Sequence, residues 1–304
     1  MSKETKTFLS AFLDYQDYAK ARHKKQGFET HIRNFKLHIL PYFKDVNDLN
    51  QLQTKDIIDW QNTILEKDYS NSFNSNLFYT LSSFIEYCVL CGYMDKNVIR
   101  EVKNFKKKIE NKDYKVYNIW QFRWFRLHLD NYIHKQFFNF MFFYGTRPSE
   151  TMAIRFCDIE VFLIHIQNNI ERRGNRALDT PKNQSSIRTL RMSILTKIRI
   201  WKLKHIYLKS YGTFSDNYFV FGGQKPLSTS TIDRHKKKAC KKAHLFEITQ
   251  HQFRHSYATR MIHKNKAIDI VSRSMGHSKV STTCDVYMHQ EKRMTSIHFP
   301  RFFL

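Results

Sequence analysis

The chain has 304 residues, 41% hydrophobic and 15% aromatic, enough to bury a substantial core and, at roughly 100–200 residues per domain, to form two domains. Its 51 Lys+Arg against 27 Asp+Glu leave +24, spread along the chain, which points to a polyanion, nucleic acid before a membrane surface. Cys88, Cys91, Cys157, Cys240 and Cys284 are odd in number and irregularly spaced, which excludes a four-sulfur zinc site, and the most apolar stretch, Phe137 to Tyr144, is far short of the ~20 residues needed to span a bilayer.

In chain order, Thr5 to about Ile99 is predicted to be helical. Apolar residues recur at three and four, as in Phe8, Phe12, Tyr15, Ala19 and in Leu77, Leu81, Phe84, Ile85, Cys88. Pro41 and Gly92 punctuate this region, and Thr54 reads as the capped start of a helix running through Trp60 to Leu65. A bundle of about four short helices without strands follows. Residues from about Lys103 to Tyr117 are rich in Lys and Asn, lack an apolar period and suit a basic interdomain linker. Beyond it the pattern alternates. Helices are expected around Ile119 to Leu129 and Lys135 to Tyr144, strands at Glu160 to Gln167 and Ser186 to Met192, and helices thereafter. The two strand runs flank Arg172 to Lys182, which reads as a basic hairpin.

The segment richest in chemistry is His251-Gln-Phe-Arg254-His255, in a helical stretch continuing through Tyr257, Ala258, Met261 and Ile262. Spacings of three and four put His251, Arg254 and His255 on one helix face. Thr249 is the expected cap, so the cluster lies in the first turns, where backbone N–H groups and the helix dipole favour an anion. Taken alone, the segment leaves other readings open. Two His at i and i+4 suggest a zinc helix, although Gln252 stands where the general-base Glu would be and no third ligand is evident. The two His could equally pack in a core, or the helix could bind an anion without catalysis.

Two further segments decide among these. Gly145-Thr146-Arg147-Pro148-Ser149-Glu150 precedes the HxxRH cluster, and Met275-Gly276-His277 follows it and leads to Tyr287. In this order the chain resembles the tyrosine recombinases of the phage integrase kind. That family carries an Arg in a GxRxSE box, a Lys on a β-hairpin, HxxR, a GH motif and a Tyr shortly beyond it. The helical N-terminal region is also similar, in pattern more than in motif, to the core-binding domain of phage integrases. Thr146 replaces a frequent apolar residue and Met275 a usual Leu, and neither change removes a functional group.

The resemblance implies a mostly α fold with a small β-sheet or hairpin (α+β): a helical core-type DNA-binding domain at 1–107, a linker at 108–115 and a catalytic domain at 116–304, closing on DNA as a C-shaped clamp. It also implies roles. Tyr287 attacks a phosphodiester and forms a 3′-phosphotyrosyl bond, while Arg147 and Arg254 grip the nonbridging oxygens. Lys182, in Thr180-Pro181-Lys182-Asn183, protonates the leaving 5′ oxygen. His251 assists deprotonation of Tyr287, and His277 donates to a phosphate oxygen. Glu150 would orient Arg147, and His255 would support the fold. Such a set works without metal, and because the phosphotyrosyl bond keeps the energy of the broken phosphodiester, no ATP and no other cofactor is expected; no GxxxxGK loop is present.

Lys106, Lys107 and Lys108, Arg172, Arg173, Arg176 and Arg188, and Lys236, Lys237, Lys238, Lys241 and Lys242 are expected to contact backbone phosphates. The expected partners are double-stranded DNA with att-type core sites, further copies of the chain in a tetrameric synapse, and accessory DNA-bending or directionality proteins, all in the cytoplasm of a bacterium or phage-infected host at the nucleoid, without a membrane. The small β-rich arm-binding module of many integrases is not evident, so recognition of distant arm sites is not expected. The rivals are a type IB topoisomerase and a DNA-binding regulator that has lost cleavage. The apolar tail through Met294, Ile297, Phe299, Phe302, Phe303 and Leu304 should be buried, on a neighbouring protomer or on its own domain.

Overall fold

The computed structural model describes residues 6–105, 115–170, 178–179, 186–277, 279–281 and 284. The chain divides into two compact units, Met1–Asn111 and Lys112–Leu304, each with its own apolar core, and the division falls within the stretch expected to be the linker.

The first unit is built from α1 (Phe8–Arg22), α2 (Lys25–His38), the short α3 (Leu40–Phe43), α4 (Thr54–Glu66) and α5 (Asn71–Leu90). Phe8, Phe12 and Tyr15 share one face of α1 and meet Phe35, Phe43 and Phe84, with the Phe12 and Phe35 rings stacked at 4.3 Å. Fully burying each such ring contributes roughly 1.5–3 kcal/mol. The Tyr15 hydroxyl, carried into this core, lies 2.8 Å from His31 Nε2 and donates to Ser83 Oγ at 2.8 Å, so the polar groups satisfy one another. The expected cap of α4 shifts by one residue. Gln53 precedes the helix, its N–H donating to Asp56, while Thr54 is already helical and its hydroxyl donates to Glu101.

The second unit alternates short strands and helices: α6 (Ile119–Leu127), α7 (Tyr132–Tyr144), α8 (Pro148–Ala153), β1 (Leu163–Ile166), β2 (Asn169–Ile170), β3 (Leu178–Asp179), β4 (Arg188–Arg191), α9 (Ile194–Tyr211), α10 (Thr229–Lys242), α11 (Gln250–His263) and α12 (Ile268–Met275). The two strand runs pair with each other, β1 antiparallel to β4 with Ile164 opposite Leu190, and β2 pairs with β3. α7 starts three residues before expected because the Asn131 side chain accepts from the Ile133 and His134 N–H groups. The aromatic face of α7, Phe137, Phe138, Phe140 and Phe142, packs into a core with Phe122, Phe125 and Phe253, so α7 and α11 lie against each other. No helix of the described residues is long and apolar enough to cross a membrane.

Candidate active site

The arginine box is built on a helix break. α7 ends at Gly145, whose φ of +66° is left-handed and whose N–H donates to Met141 O at 3.0 Å. A Cβ here would stand 2.3 Å from Cδ1 of Tyr257, so both the backbone conformation and the close approach of α11 require glycine. The chain then turns into α8 with Arg147 at its N-cap and Pro148 at its first position, and the Arg147 N–H donates to Glu150 Oε2 at 2.9 Å. Thr146, the departure from the family pattern, is fully buried and hydrogen-bonded to Thr151 at 2.7 Å, which satisfies its hydroxyl without an apolar residue.

Glu150 is the centre of the arrangement. It is 1% exposed, accepts from Arg147 Nη1 at 2.6 Å on one oxygen and from Arg188 Nη2 at 2.8 Å on the other, and has Arg254 Nη1 at 3.9 Å. Burial pushes its carboxyl upward, but Arg188, Arg254 and Arg147 outweigh burial and hold it below the usual carboxylate range. Three guanidinium charges thus meet one carboxylate.

Arg254 comes from the first turns of α11, whose N-cap is Thr249, its hydroxyl accepting from the Gln252 N–H. Its side chain is 4% exposed and donates through Nη1 to Gly145 O at 2.7 Å, while Nη2 is buried with no hydrogen-bond partner among the described residues. Burial, with Arg147 and Arg188 adding to it, lowers Arg254 to about 9 despite Glu150, which leaves it charged at neutral pH. Arg147 keeps 30% of its side chain exposed, so one guanidinium faces outward and one is enclosed.

The GH turn closes the site. α12 ends at Gly276 with φ +70°, and the carbonyl of that glycine accepts from Arg147 Nη2 at 2.8 Å. His277 follows, its N–H donating to Ser272 O at 3.1 Å. Burial and then Arg254 and Arg147 push the His277 imidazole down to about 3, and burial and Arg254 push His255 down to about 4, so both are neutral at physiological pH. His251 is exposed on the first turn of α11. The three motifs, far apart in sequence, therefore meet through Glu150, Gly145 O and Gly276 O.

Two expected DNA contacts are corrected by this geometry. The Arg188 side chain is 8% exposed and fully engaged inside the protein, with Nη2 on Glu150, Nε on Ser274 O at 2.7 Å and Nη1 on Ser186 O at 3.0 Å, so it is not available to a backbone phosphate. Lys236 lies on the inner face of α10 with Ile232, Ala239 and Cys240, 4% exposed and paired with Asp233 at 3.3 Å and Glu247 at 3.2 Å. Lys238 and Lys242 are exposed but share Asp130, and Lys237 and Lys241 are exposed on the same helix. Lys106, Lys107, Lys108, Arg172, Arg173, Arg176, Lys182, Tyr287 and the apolar tail lie outside the described residues. Among the described residues no group of three His, Cys, Asp or Glu could hold a metal ion. Sequence reasoning missed the internal work of Arg188, the carbonyl of Gly145 and the place of Tyr257. Gly145 had a signal, being the first residue of the box; the other two had none.

The chain as a whole is similar to known proteins. Residues 126–294 match the phage integrase family, and residues 7–65 match the phage integrase N-terminal SAM-like domain. The ICEBs1 integrase of Bacillus subtilis (strain 168) is 26% identical over 262 residues, covering 83% of this chain and 70% of the relative. Among solved structures, a lambda integrase dimer bound to a COC′ core site superposes with a TM-score of 0.74 at 15% identity, covering 100% of this chain and 82% of that one. The Tn1549 transposon integrase in complex with a circular intermediate DNA gives 0.72 at 16% identity, covering 97% and 100%.

Proposed function

The chain belongs to the phage integrase family, and on that footing we propose that it is a site-specific DNA recombinase, which breaks and rejoins double-stranded DNA of a mobile element through a 3′-phosphotyrosyl intermediate on Tyr287. The observation that carries this reading is the charge imbalance of the site: Arg147, Arg188 and Arg254 around the single carboxylate of Glu150. Enclosed positive charge without a matching anion is costly, and a phosphodiester supplies the anion.

The phenolate oxygen of Tyr287 attacks phosphorus, the bond from phosphorus to the 5′ oxygen breaks, and Lys182 gives that oxygen its proton. Arg147 and Arg254 grip the nonbridging oxygens, where negative charge grows in the pentacoordinate transition state. His277, neutral before DNA binds, donates a hydrogen bond to one of these oxygens, and His251 draws the proton from Tyr287. Rejoining runs the same steps backward with a 5′ hydroxyl as nucleophile, so neither ATP nor metal enters. His255 and Glu150 hold Arg254 and Arg147 in place. The lambda integrase neighbour is a dimer on its core site, which supports action as an oligomer on DNA here, with four copies forming the synapse. Accessory DNA-bending or directionality proteins would act on that assembly, in the cytoplasm at the nucleoid. Contacts to backbone phosphates fall to Lys106, Lys107, Lys108, Arg172, Arg173, Arg176, Lys237, Lys238, Lys241 and Lys242.

A nicked suicide substrate made from the DNA flanking the gene tests the reading. A recombinase leaves protein joined to the 3′ end, and two such sites in one reaction exchange strands. A regulator without cleavage leaves no adduct, and a topoisomerase relaxes supercoiled plasmid without exchanging sites.

A further inference from the structure

Arg188 has no place in the phosphate chemistry above, yet its guanidinium is fully engaged inside the protein. Its Nη2, Nε and Nη1 donate to Glu150 Oε2, Ser274 O and Ser186 O, at 2.8, 2.7 and 3.0 Å. Two of these acceptors belong to structural elements that the chemistry needs in register. Ser274 is in the last turn of α12, immediately before the Gly276–His277 turn, and Ser186 leads into β4, downstream of Lys182. The third is the carboxylate that also holds Arg147 and approaches Arg254.

We infer that Arg188 is a positioning residue of the strand-transfer reaction: together with Arg147 it holds Glu150, and so keeps Arg254 off that carboxylate and available to the scissile phosphate. This rests on the recombinase reading. The charge balance is the reason. Glu150 carries one negative charge in a buried place and must have a cation beside it. Arg147 at 2.6 Å on one oxygen and Arg188 at 2.8 Å on the other supply it, whereas Arg254 stands off at 3.9 Å. Three guanidiniums against one carboxylate leave two positive charges to face the two negative charges of a pentacoordinate phosphorane. Without Arg188, Glu150 Oε2 loses its close cation, keeping the Arg147 N–H, and draws Arg254 toward itself, so that a phosphate-gripping charge is spent inside the protein. The same loss releases Ser274 O, and with it one of the contacts that hold the GH turn, another being Arg147 on Gly276 O. A guanidinium is required because only a planar fork reaches a carboxylate and two carbonyls at once.

Single-turnover cleavage of a nicked suicide substrate, half-site binding by mobility shift and thermal melting are measured on the full chain for Arg188→Met, Arg188→Lys, Glu150→Gln and the pair Arg188→Met/Glu150→Gln. Arg188→Met and Glu150→Gln are each expected to cleave roughly 100-fold more slowly with half-site affinity unchanged, as for loss of a group that orients the reacting parts, and Arg188→Lys, which keeps the charge beside Glu150, to lose less. The pair is expected to be no slower than the slower single variant, because removing the carboxylate removes the demand for its counterion. Arg188→Met at the wild-type cleavage rate, or a pair whose defects multiply, overturns the inference while leaving the recombinase reading intact. If Arg188→Met does not fold, Arg188→Gln takes its place, alone and with Glu150→Gln, with the same two outcomes, since Gln removes the charge beside Glu150 while keeping a donor for a carbonyl. Absence of an adduct from the wild-type protein would sink the recombinase reading instead.

Discussion

The unit Met1–Asn111 carries 17 Lys+Arg against 14 Asp+Glu, and Lys112–Leu304 carries 34 against 13, so only +3 of the formal +24 belongs to the first unit and +21 to the second. The two units also treat buried polar groups differently. In the first, Tyr15, His31 and Ser83 form a neutral network that the protein completes by itself. In the second, Glu150, Arg254 and Lys236 are charged and enclosed, and around Glu150 the cations outnumber the carboxylate. A neutral network stabilises a fold, whereas an enclosed charge excess is completed by a ligand. Both units have aromatic cores of similar character, so the contrast lies in charge and not in packing.

The largest effect should come from the enclosed charge. Arg254→Ala is expected to slow cleavage by about 1,000-fold or more, as when a preorganised donor to a developing oxyanion is removed, while half-site binding, which rests on many phosphate contacts, persists. Cleavage within tenfold of wild type would place the phosphate elsewhere. Next in size, Lys182→Ala should slow cleavage roughly 100-fold and be rescued by a 5′-bridging phosphorothiolate, whose sulfur leaves without a proton. Rescue that tracks Arg176 or Lys197 instead would move the general acid to that residue.

A smaller effect separates the two units by pH. Burial pushes His31 down to about 4 in the first unit, and His134 and His255 to about 4 and His277 to about 3 in the second. These folded values lie below the unfolded 6.5, so the unfolded chain takes up protons first; the stability is complete above about 6.5 and is lost as pH falls from there toward 4. The DNA-free protein should melt at least roughly 5 °C lower at pH 5 than at pH 7, with hydrogen-exchange protection in α11 and α12 weakening before that of the first unit. A rise in melting temperature on acidification would contradict it. The smallest effects should separate binding from stability on one helix. Lys237→Ala/Lys241→Ala should weaken DNA binding several-fold and flatten its salt dependence without changing the melting temperature. Lys236→Met should cost about 1 kcal/mol of stability, because Asp233 and Glu247 are half exposed and regain water, and leave binding alone. Equal effects on binding would mean that Lys236 leaves its pocket to meet DNA.

What was legible in the sequence follows the same division. Helices with a clean apolar period, such as α1, α5 and α11, and the Thr249 cap were readable because local spacing alone determines them. The motifs of the site were readable through their resemblance to the family's boxes, and the structure puts each at a helix end: Arg147 at the N-cap of α8, Arg254 near the start of α11 and His277 after α12. The work of Arg188 was not, since a strand Arg in a basic stretch carries no local sign that its partner is a glutamate 38 residues earlier. Lys236 was misread because the Lys236–Lys238 run hides its place four residues after Ile232, on the buried face. Hydrophobic periodicity finds cores, but pairing of buried charges depends on tertiary contacts that no window of sequence contains.

On the function proposed above, the anion that completes the second unit is a DNA phosphate attacked by Tyr287. Proteolysis of the covalent complex trapped on a nicked suicide substrate, followed by mass spectrometry of the DNA-linked peptide, tests it directly. One modified peptide with the nucleotide on Tyr287 is expected, and no adduct from Tyr287→Phe despite unchanged DNA binding. A nucleotide on any other residue, or an adduct that persists in Tyr287→Phe, would contradict it.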